Sequence, residues 1–188
     1  MSRSVQRGIR PSVLLLPLLL LVLWQASAKK SKGNENATPS IYVANLRGDQ
    51  VVPPVNTTAH GEAEFAVHHH KKTKDDKKDY VTYNITLFQV NHLKEVDLRQ
   101  AQQGQPGDKI AILWGPADNG LNQEVNGVLK VGNLTKSDFD KGPMNKEDMD
   151  QLMQRFNDND VYVLVTTTDH PDGLLRGQVH KANETTSP

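Results

Sequence analysis

Apolar and polar residues alternate along much of this chain, in short runs broken by turn formers. In "GEAEFAVH", Gly61 to His68, the residues Ala63, Phe65 and Val67 share one phase and Glu62, Glu64 and Ala66 the other, the period of a half-buried strand. "DYVTYNITLFQV" repeats the pattern with Val81, Tyr83, Ile85 and Leu87 inside, which predicts a strand over Tyr80 to Val90. The segments Ile41 to Leu46, Lys109 to Gly115, Asn126 to Thr135, Val161 to Thr168 and Leu174 to His180 bring the set to about seven strands. Gly, Pro, Asn and Asp punctuate nearly every gap between them. The charged run "HHHKKTKDDKKD", His68 to Asp79, joins two alternating segments and reads as a long, solvated hairpin connection.

Helical period occurs once. Met149, Leu152, Met153 and Phe156 recur at i, i+3, i+4 and i+7, with Asn145 as N-cap and Glu147 and Asp148 in the first turn, where they favour the helix dipole. Just before it, Thr135 and Asp138 have the spacing of a capping box and predict a single turn ahead of Phe139. Many short strands and one short helix make an all-β fold, either a Greek-key β-sandwich or a barrel.

The ends of the chain are patterned differently. Arg3, Arg7 and Arg10 precede an apolar run from Val13 to Trp24, interrupted only by Pro17, and Ala26-Ser27-Ala28 follows as a small-residue cleavage site. This is the pattern of a secretory signal peptide over residues 1–28, too short to span a bilayer, with a mature chain expected to start at Lys29. Residues 29–40 are polar and aperiodic and read as a flexible leader. The β-domain is then expected over 41–180 and a disordered tail over 181–188.

Composition narrows the classes. The chain has 22 basic and 22 acidic residues; without the three leader arginines the balance is 19 against 22, a formal charge of −3. Neither nucleic-acid binding nor a membrane anchor is expected from that charge and hydropathy. There are no cysteines, which excludes disulfides, zinc-thiolate sites and cysteine nucleophiles and leaves stability to the hydrophobic core. Five Asn-x-Thr sequons, at Asn36, Asn56, Asn84, Asn133 and Asn183, are candidate glycosylation sites in a secreted chain. Asn84 lies on the solvent phase of its predicted strand, where a glycan is tolerated.

Two clusters raise the question of chemistry. "LRGDQVVPPV" contains Arg47-Gly48-Asp49, the tripeptide with which many extracellular proteins engage integrins, yet it runs directly into two prolines. An integrin ligand needs its Arg and Asp splayed at a loop tip, whereas this tripeptide begins at a strand end. His68-His69-His70, with His60 and His92 elsewhere, offers imidazoles but no complete ligand set. No nucleophile elbow, metalloprotease helix or phosphate loop is present, and "GQPGDK", Gly104 to Lys109, leads into a strand. Asp169, His170 and Asp172 lie in a Pro-containing connection and read as turn formers, so no enzyme is expected.

In order along the chain, "LRGDQVVPPV", "HGEAEF", "YNITL", "GQPGDKIAIL", "VNGVL" and "VYVLVTTTDHPDGLLRGQV" resemble the CHRD domain, the module first recognised in chordin. The likeness runs from Ile41 to Val179 and is most specific in its opening and closing motifs. It implies that Leu46, Gly48, Pro53, Pro54 and Val55 form a strand end and turn, with Arg47 and Asp49 in variable slots. It likewise implies a structural role for Pro171, Gly173, Arg176, Gly177 and Gln178, with Arg176 in a hydrogen-bond network. Many microbial members carry a His-x-His and a further His that invite comparison with copper/zinc superoxide dismutase. The aligned positions here are Asp97-Leu98-Arg99 and Thr166, so neither metal nor cofactor is expected. The resemblance implies a secreted, non-enzymatic binding or matrix module whose partner is an extracellular protein or matrix component. The alternatives are adhesion through Arg47-Gly48-Asp49, or modulation of bone morphogenetic protein or TGF-beta-type growth factors. In chordin that grip is attributed to cysteine-rich modules, which a chain without cysteine lacks.

Overall fold

A computed structural model of the chain describes residues 38–68, 79–115, 120–139 and 149–182. The signal-peptide residues, leader residues 29–37, His69 and His70, the Asn145 cap, and the sequons Asn36 and Asn183 lie outside these segments, while Ser40, expected in the leader, opens the first strand. Nine strands occur among the described residues: β1 (Ser40–Arg47), β2 (His60–His68), β3 (Tyr80–Val90), β4 (Leu93–Gln100), β5 (Asp108–Trp114), β6 (Val125–Leu134), β7 (Val161–Thr167), β8 (Leu175–Gln178) and β9 (His180–Lys181). The expected seven are therefore exceeded by two. One addition is β4, and the other is β9, cut from the expected Leu174–His180 strand.

All nine belong to one sheet, in the order β5-β4-β7-β8-β1-β2-β3-β6 with β9 paired to β1. Every pairing is antiparallel. The two ends of this order, β5 and β6, approach each other, so the sheet curls into a nearly closed barrel. Consecutive strands β4, β5 and β6 then lie with β3 beside β6, which is a Greek key. Of the two architectures expected, the barrel is the one formed.

Alternation explains which face goes inside. Val81, Tyr83, Ile85 and Leu87 of β3 are buried while Thr82, Asn84 and Thr86 are half-exposed. Ala63, Phe65 and Val67 of β2 and Tyr42, Ala44 and Leu46 of β1 face the same interior. The helix α2 (Met149–Asn157), preceded by the single turn α1 (Lys136–Phe139), lays Met149, Leu152, Met153 and Phe156 into that core. Phe156 packs on Tyr42 and Phe65, with ring centroids 5.1 and 5.4 Å apart. Tyr42 Oη completes the join by donating to Asn157 Oδ1 at 2.7 Å. Within the capping sequence, the Thr135 amide donates to Asp138 Oδ2 at 2.7 Å.

Strand β7 differs from the others in being buried throughout. Val161, Val163 and Val165 point into the barrel core. Tyr162, Leu164 and Thr166 lie on the outer phase yet are no more than 7% exposed, because loops fold over them. "VYVLVTT" is accordingly a near-continuous apolar run, as expected for a strand covered on both sides.

The open side of the barrel is clasped by one side chain. Tyr83 Oη donates to the Leu113 carbonyl of β5 at 2.8 Å, reaching past β6 to do so. Gly132 pairs with Tyr83, and a Cβ there would lie 2.5 Å from the Tyr83 ring and hydroxyl. Tyr83→Phe should therefore lower stability by about 1 kcal/mol, the usual net worth of one internal hydrogen bond. Gly132→Val should cost more, because it displaces the ring itself. Urea unfolding of the two variants checks the order, and a Tyr83→Phe protein as stable as the parent would show that the clasp contributes nothing.

Candidate functional site

The Arg47-Gly48-Asp49 tripeptide sits at the corner where β1 turns away from the sheet. Leu46 is fully buried; Gly48 to Gln50 form one turn of 3-10 helix. The Gly48 carbonyl accepts two backbone hydrogen bonds, from Val51 at 3.2 Å and from Val55 at 2.9 Å, so the Pro53-Pro54 segment is folded back onto this residue. A Cβ on Gly48 would lie 2.3 Å from the Val55 oxygen and 2.6 Å from the Thr57 methyl. Close backbone approach, with φ in the ordinary negative range, is what requires glycine here. Arg47 Nη2 and Asp49 Oδ2 pair with each other at 3.0 Å, both side chains being more than 60% exposed. The two charged ends thus converge.

The closing motif lies against this corner. Gly173, at φ 131°, lets the turn after β7 press on Leu164 and Val51, and a Cβ on Gly177 would meet the Asn45 carbonyl at 2.6 Å. Pro171 is exposed in that turn. Arg176 is 2% exposed and stacks over the Tyr162 ring at 4.0 Å. Its Nη2 donates to the Gln102 carbonyl at 3.0 Å and to Gln178 Oε1 at 2.8 Å. Gln178 Nε2 in turn donates to the carbonyls of Ala101, Asn159 and Val161. Burial pushes the Arg176 guanidinium below its ordinary value, partly offset by Tyr162. Two residues of one motif therefore bind together β7, β8 and the loop from 101 to 107.

Around this network the surface is indented. A cavity of about 430 Å³ is lined by Asn45, Gln50, Gln102, Gln103, Asn159 and Gln178, with Asp158 and His180 at its rim. Two further depressions adjoin it, one of about 480 Å³ along Arg47, Asp49, Val52 and Pro54 and a larger one of about 1060 Å³ along Asn56 to Gly61, and both again include Gln50 and Gln103. Among the described residues, no hydrogen bond holds the side chains of Asn45, Gln102, Gln103 or Asn159. Each free carboxamide offers both donor and acceptor to a ligand.

A second polar cluster lies on β4 and β5. Asp97 is fully buried and takes two hydrogen bonds from Arg99, at 2.9 and 3.1 Å, with Lys109 Nζ 3.4 Å away. Lys109 also bonds Glu95, and Thr166 Oγ1 donates to the Glu95 carbonyl at 3.3 Å. Burial raises the Asp97 carboxyl from 3.8 to about 6, against the pull of Arg99 and Lys109. Burial also works to raise Glu95, but its bond to Lys109 and the neighbouring charges outweigh this and hold it below its ordinary value. Asp97 and Arg99, expected to stand where relatives carry histidines, thus form with Glu95 and Lys109 an internally paired group of two acids and two bases, with Thr166 beside it.

The remaining histidines are dispersed. His60 stacks on Phe88 and His68 on Tyr80 at opposite ends of β2, while His92 Nδ1 meets Asp169 Oδ2 at 2.9 Å. Among the described residues no three His, Cys, Asp or Glu are grouped as a metal site. Asn56 is exposed in the loop after the prolines, Asn133 is exposed on β6, and Asn84 is half-buried on β3. Sequence reasoning did not find Asn45, Gln50, Gln102, Gln103, Asn159, Glu95 or Lys109, and these residues share no local motif that marks them.

The family model of the CHRD domain matches residues 42–179, and the chain belongs to that family. No curated protein and no solved structure matches it. CHRD domains are generally extracellular, and among the described residues no helix is long and apolar enough to cross a membrane.

Two expectations follow from this geometry. Gly48→Ala should cost about 1 to 3 kcal/mol through overpacking against Val55, while Asp49→Glu leaves the fold intact; thermal melts of the two variants check the contrast. The second concerns pH. A carboxyl raised from 3.8 to about 6 binds its proton more tightly in the folded chain, so its contribution to stability is present below 3.8 and lost as pH rises through about 6. Asp97→Asn lacks this loss and should gain on the parent between pH 4 and pH 7. Urea midpoints at the two pH values measure the gain, and a constant gap would contradict the shift.

Proposed function

We propose that this chain is a secreted, non-enzymatic binding or matrix module, and that it meets its ligand at the polar surface surrounding Gln50 and Gln103. The observation that carries this reading is the convergence of three depressions on those two residues, with four carboxamides nearby left unbonded. All four are exposed, so water satisfies them until a ligand takes its place. Secretion is supported by the basic, apolar and small-residue sequence of the leader and by the extracellular character of the family. The non-enzymatic reading is supported by the pairing of Glu95 and Asp97 with Lys109 and Arg99, which leaves those acids committed to internal partners.

The partner is an extracellular protein or matrix component. Adhesion through Arg47-Gly48-Asp49 is the second reading, supported by exposure of both charged side chains and opposed by their pairing with each other. Growth-factor modulation has only the family resemblance behind it. The test is capture from the tissue that makes the protein, with the purified glycoprotein as bait and mass spectrometry as readout. Gln103→Arg should deplete the captured partner roughly tenfold, the effect of losing about 1.4 kcal/mol of binding. Asp49→Glu should leave both capture and cell attachment unchanged. Attachment lost with Asp49→Glu and kept with Gln103→Arg would favour the tripeptide as the ligand instead.

A further inference from the structure

The most exposed large apolar side chains among those described are Val128 at 64% and Val131 at 67%, both on β6. That strand is hydrogen-bonded only to β3, and its other side faces β5 across the nearly closed seam with no ladder between them. An unpaired strand side with branched apolar residues exposed beside it invites pairing with other chains unless something blocks it. The register shows what flanks it. Asn84 of β3 pairs with Val131, Thr86 pairs with Val128, and Thr82 pairs with Asn133, two residues beyond Val131 on the same strand. Asn84 and Asn133 therefore share the outer face with the two valines. Both begin Asn-x-Thr sequons.

Asn84 has no internal use that accounts for it. Its Oδ1 is buried without a hydrogen-bond partner, a cost to the fold that an apolar or hydroxyl side chain would avoid. We infer that Asn84 and Asn133 carry N-glycans whose first sugars lie over Val131 and Val128 and cover the exposed apolar face of β6 beside the barrel seam. Directly paired residues have Cβ atoms about 4.5 to 5.5 Å apart, so a sugar on Asn84 Nδ2 starts beside the Val131 methyls. The C–H face of a pyranose covers the methyls while its hydroxyls face water. The glycans thus act as a solubilising cover that also excludes another chain. Asn56, on the loop lining the polar depressions, has no exposed valine pair beside it and serves as the control.

This inference rests on the secretory reading, and the experiment separates the two. The full chain is secreted from a glycosylating eukaryotic host, and glycopeptide mass spectrometry reads each site. Binding of an apolar dye and light scattering are then compared for the parent, Asn56→Gln and Asn84→Gln/Asn133→Gln. The double variant should roughly double dye binding and aggregate, as expected for newly exposed apolar area, while Asn56→Gln matches the parent. Adding Val128→Thr/Val131→Thr to the double variant should restore parental behaviour. If the double variant fails to be secreted, amidase removal of the glycans from the folded parent provides the same comparison. Glycan at Asn56 alone, or on no site of the secreted chain, overturns the inference and leaves secretion standing; a parent chain kept inside the cell without glycan overturns both. Occupied sites with unchanged dye binding and scattering, or a rise that the threonines do not suppress, also overturn it. So does a bare β6 buried between two copies of the chain in solution.

Discussion

Strand β7 must be covered on two sides, and the placement of the loops follows from that requirement. Its inner residues are covered by the barrel core, but Tyr162 and Leu164 face outward, where only loops are available to exclude water. Loops lack a ladder of their own and must be fastened by side chains. Arg176 and Gln178 provide the fastening. A guanidinium buried without a carboxylate is costly, and here the cost is offset only in part by the Tyr162 ring, the Gln102 carbonyl and Gln178 Oε1, since Nε and Nη1 are buried with no hydrogen-bond partner among the described residues. Because Gln178 also holds Ala101, Asn159 and Val161, loss of either residue would release the same loop from both sides.

The corner at Gly48 belongs to the same device. Val51 packs at Gly173 with Leu164, so the turn after β1 forms part of the cover over β7. Gly48 must be glycine for that turn to fold back, and Arg47 and Asp49 are carried outward as a consequence. Their exposure therefore follows from the cover itself, whether or not a receptor reads them. The opening and closing motifs are far apart in sequence because they come from opposite ends of the chain, yet they meet where β1 pairs with β8, Arg47 opposite Arg176.

Where alternation was clean, the fold was legible. The strands β1, β2 and β3 and the helix α2 lie within a residue or a few of where period two and period 3.6 place them. Strand β4 was not legible, and its pairing explains why. Its register against β7 slips between Leu93 and Glu95, so the apolar residues fall at 93, 96 and 98 instead of on one phase. Its outward residue Asp97 is buried as an ion-paired acid, which in sequence looks like a solvated position. The end of β8 failed for a related reason. The Val179 amide bonds Val161, and His180 and Lys181 leave that pairing for β1. The polar cavity was invisible to any local reading, because its walls come from β1, three separate turns, β8 and β9, and only the barrel order brings them together.

Closure of the barrel leaves surfaces of different character. Along β3 and β6 the outer face carries two exposed valines of β6 beside Thr82, Thr86 and two sequon asparagines at neighbouring register positions. At the corner formed by β1, β8 and the 101–107 loop, the surface is concave and rich in carboxamides, and Arg47 and Asp49 nearby are paired with each other. A polar concave surface keeps its hydrogen-bonding groups solvated until a partner replaces the water, so it can stay exposed in a monomer without promoting association. An exposed apolar strand face beside an unpaired seam has no such tolerance and needs a permanent cover. The difference in chemistry between the two regions supports the proposal of reversible contact at one and modification at the other, with the Arg176–Gln178 network holding the first in shape and the Tyr83 clasp closing the barrel beside the second.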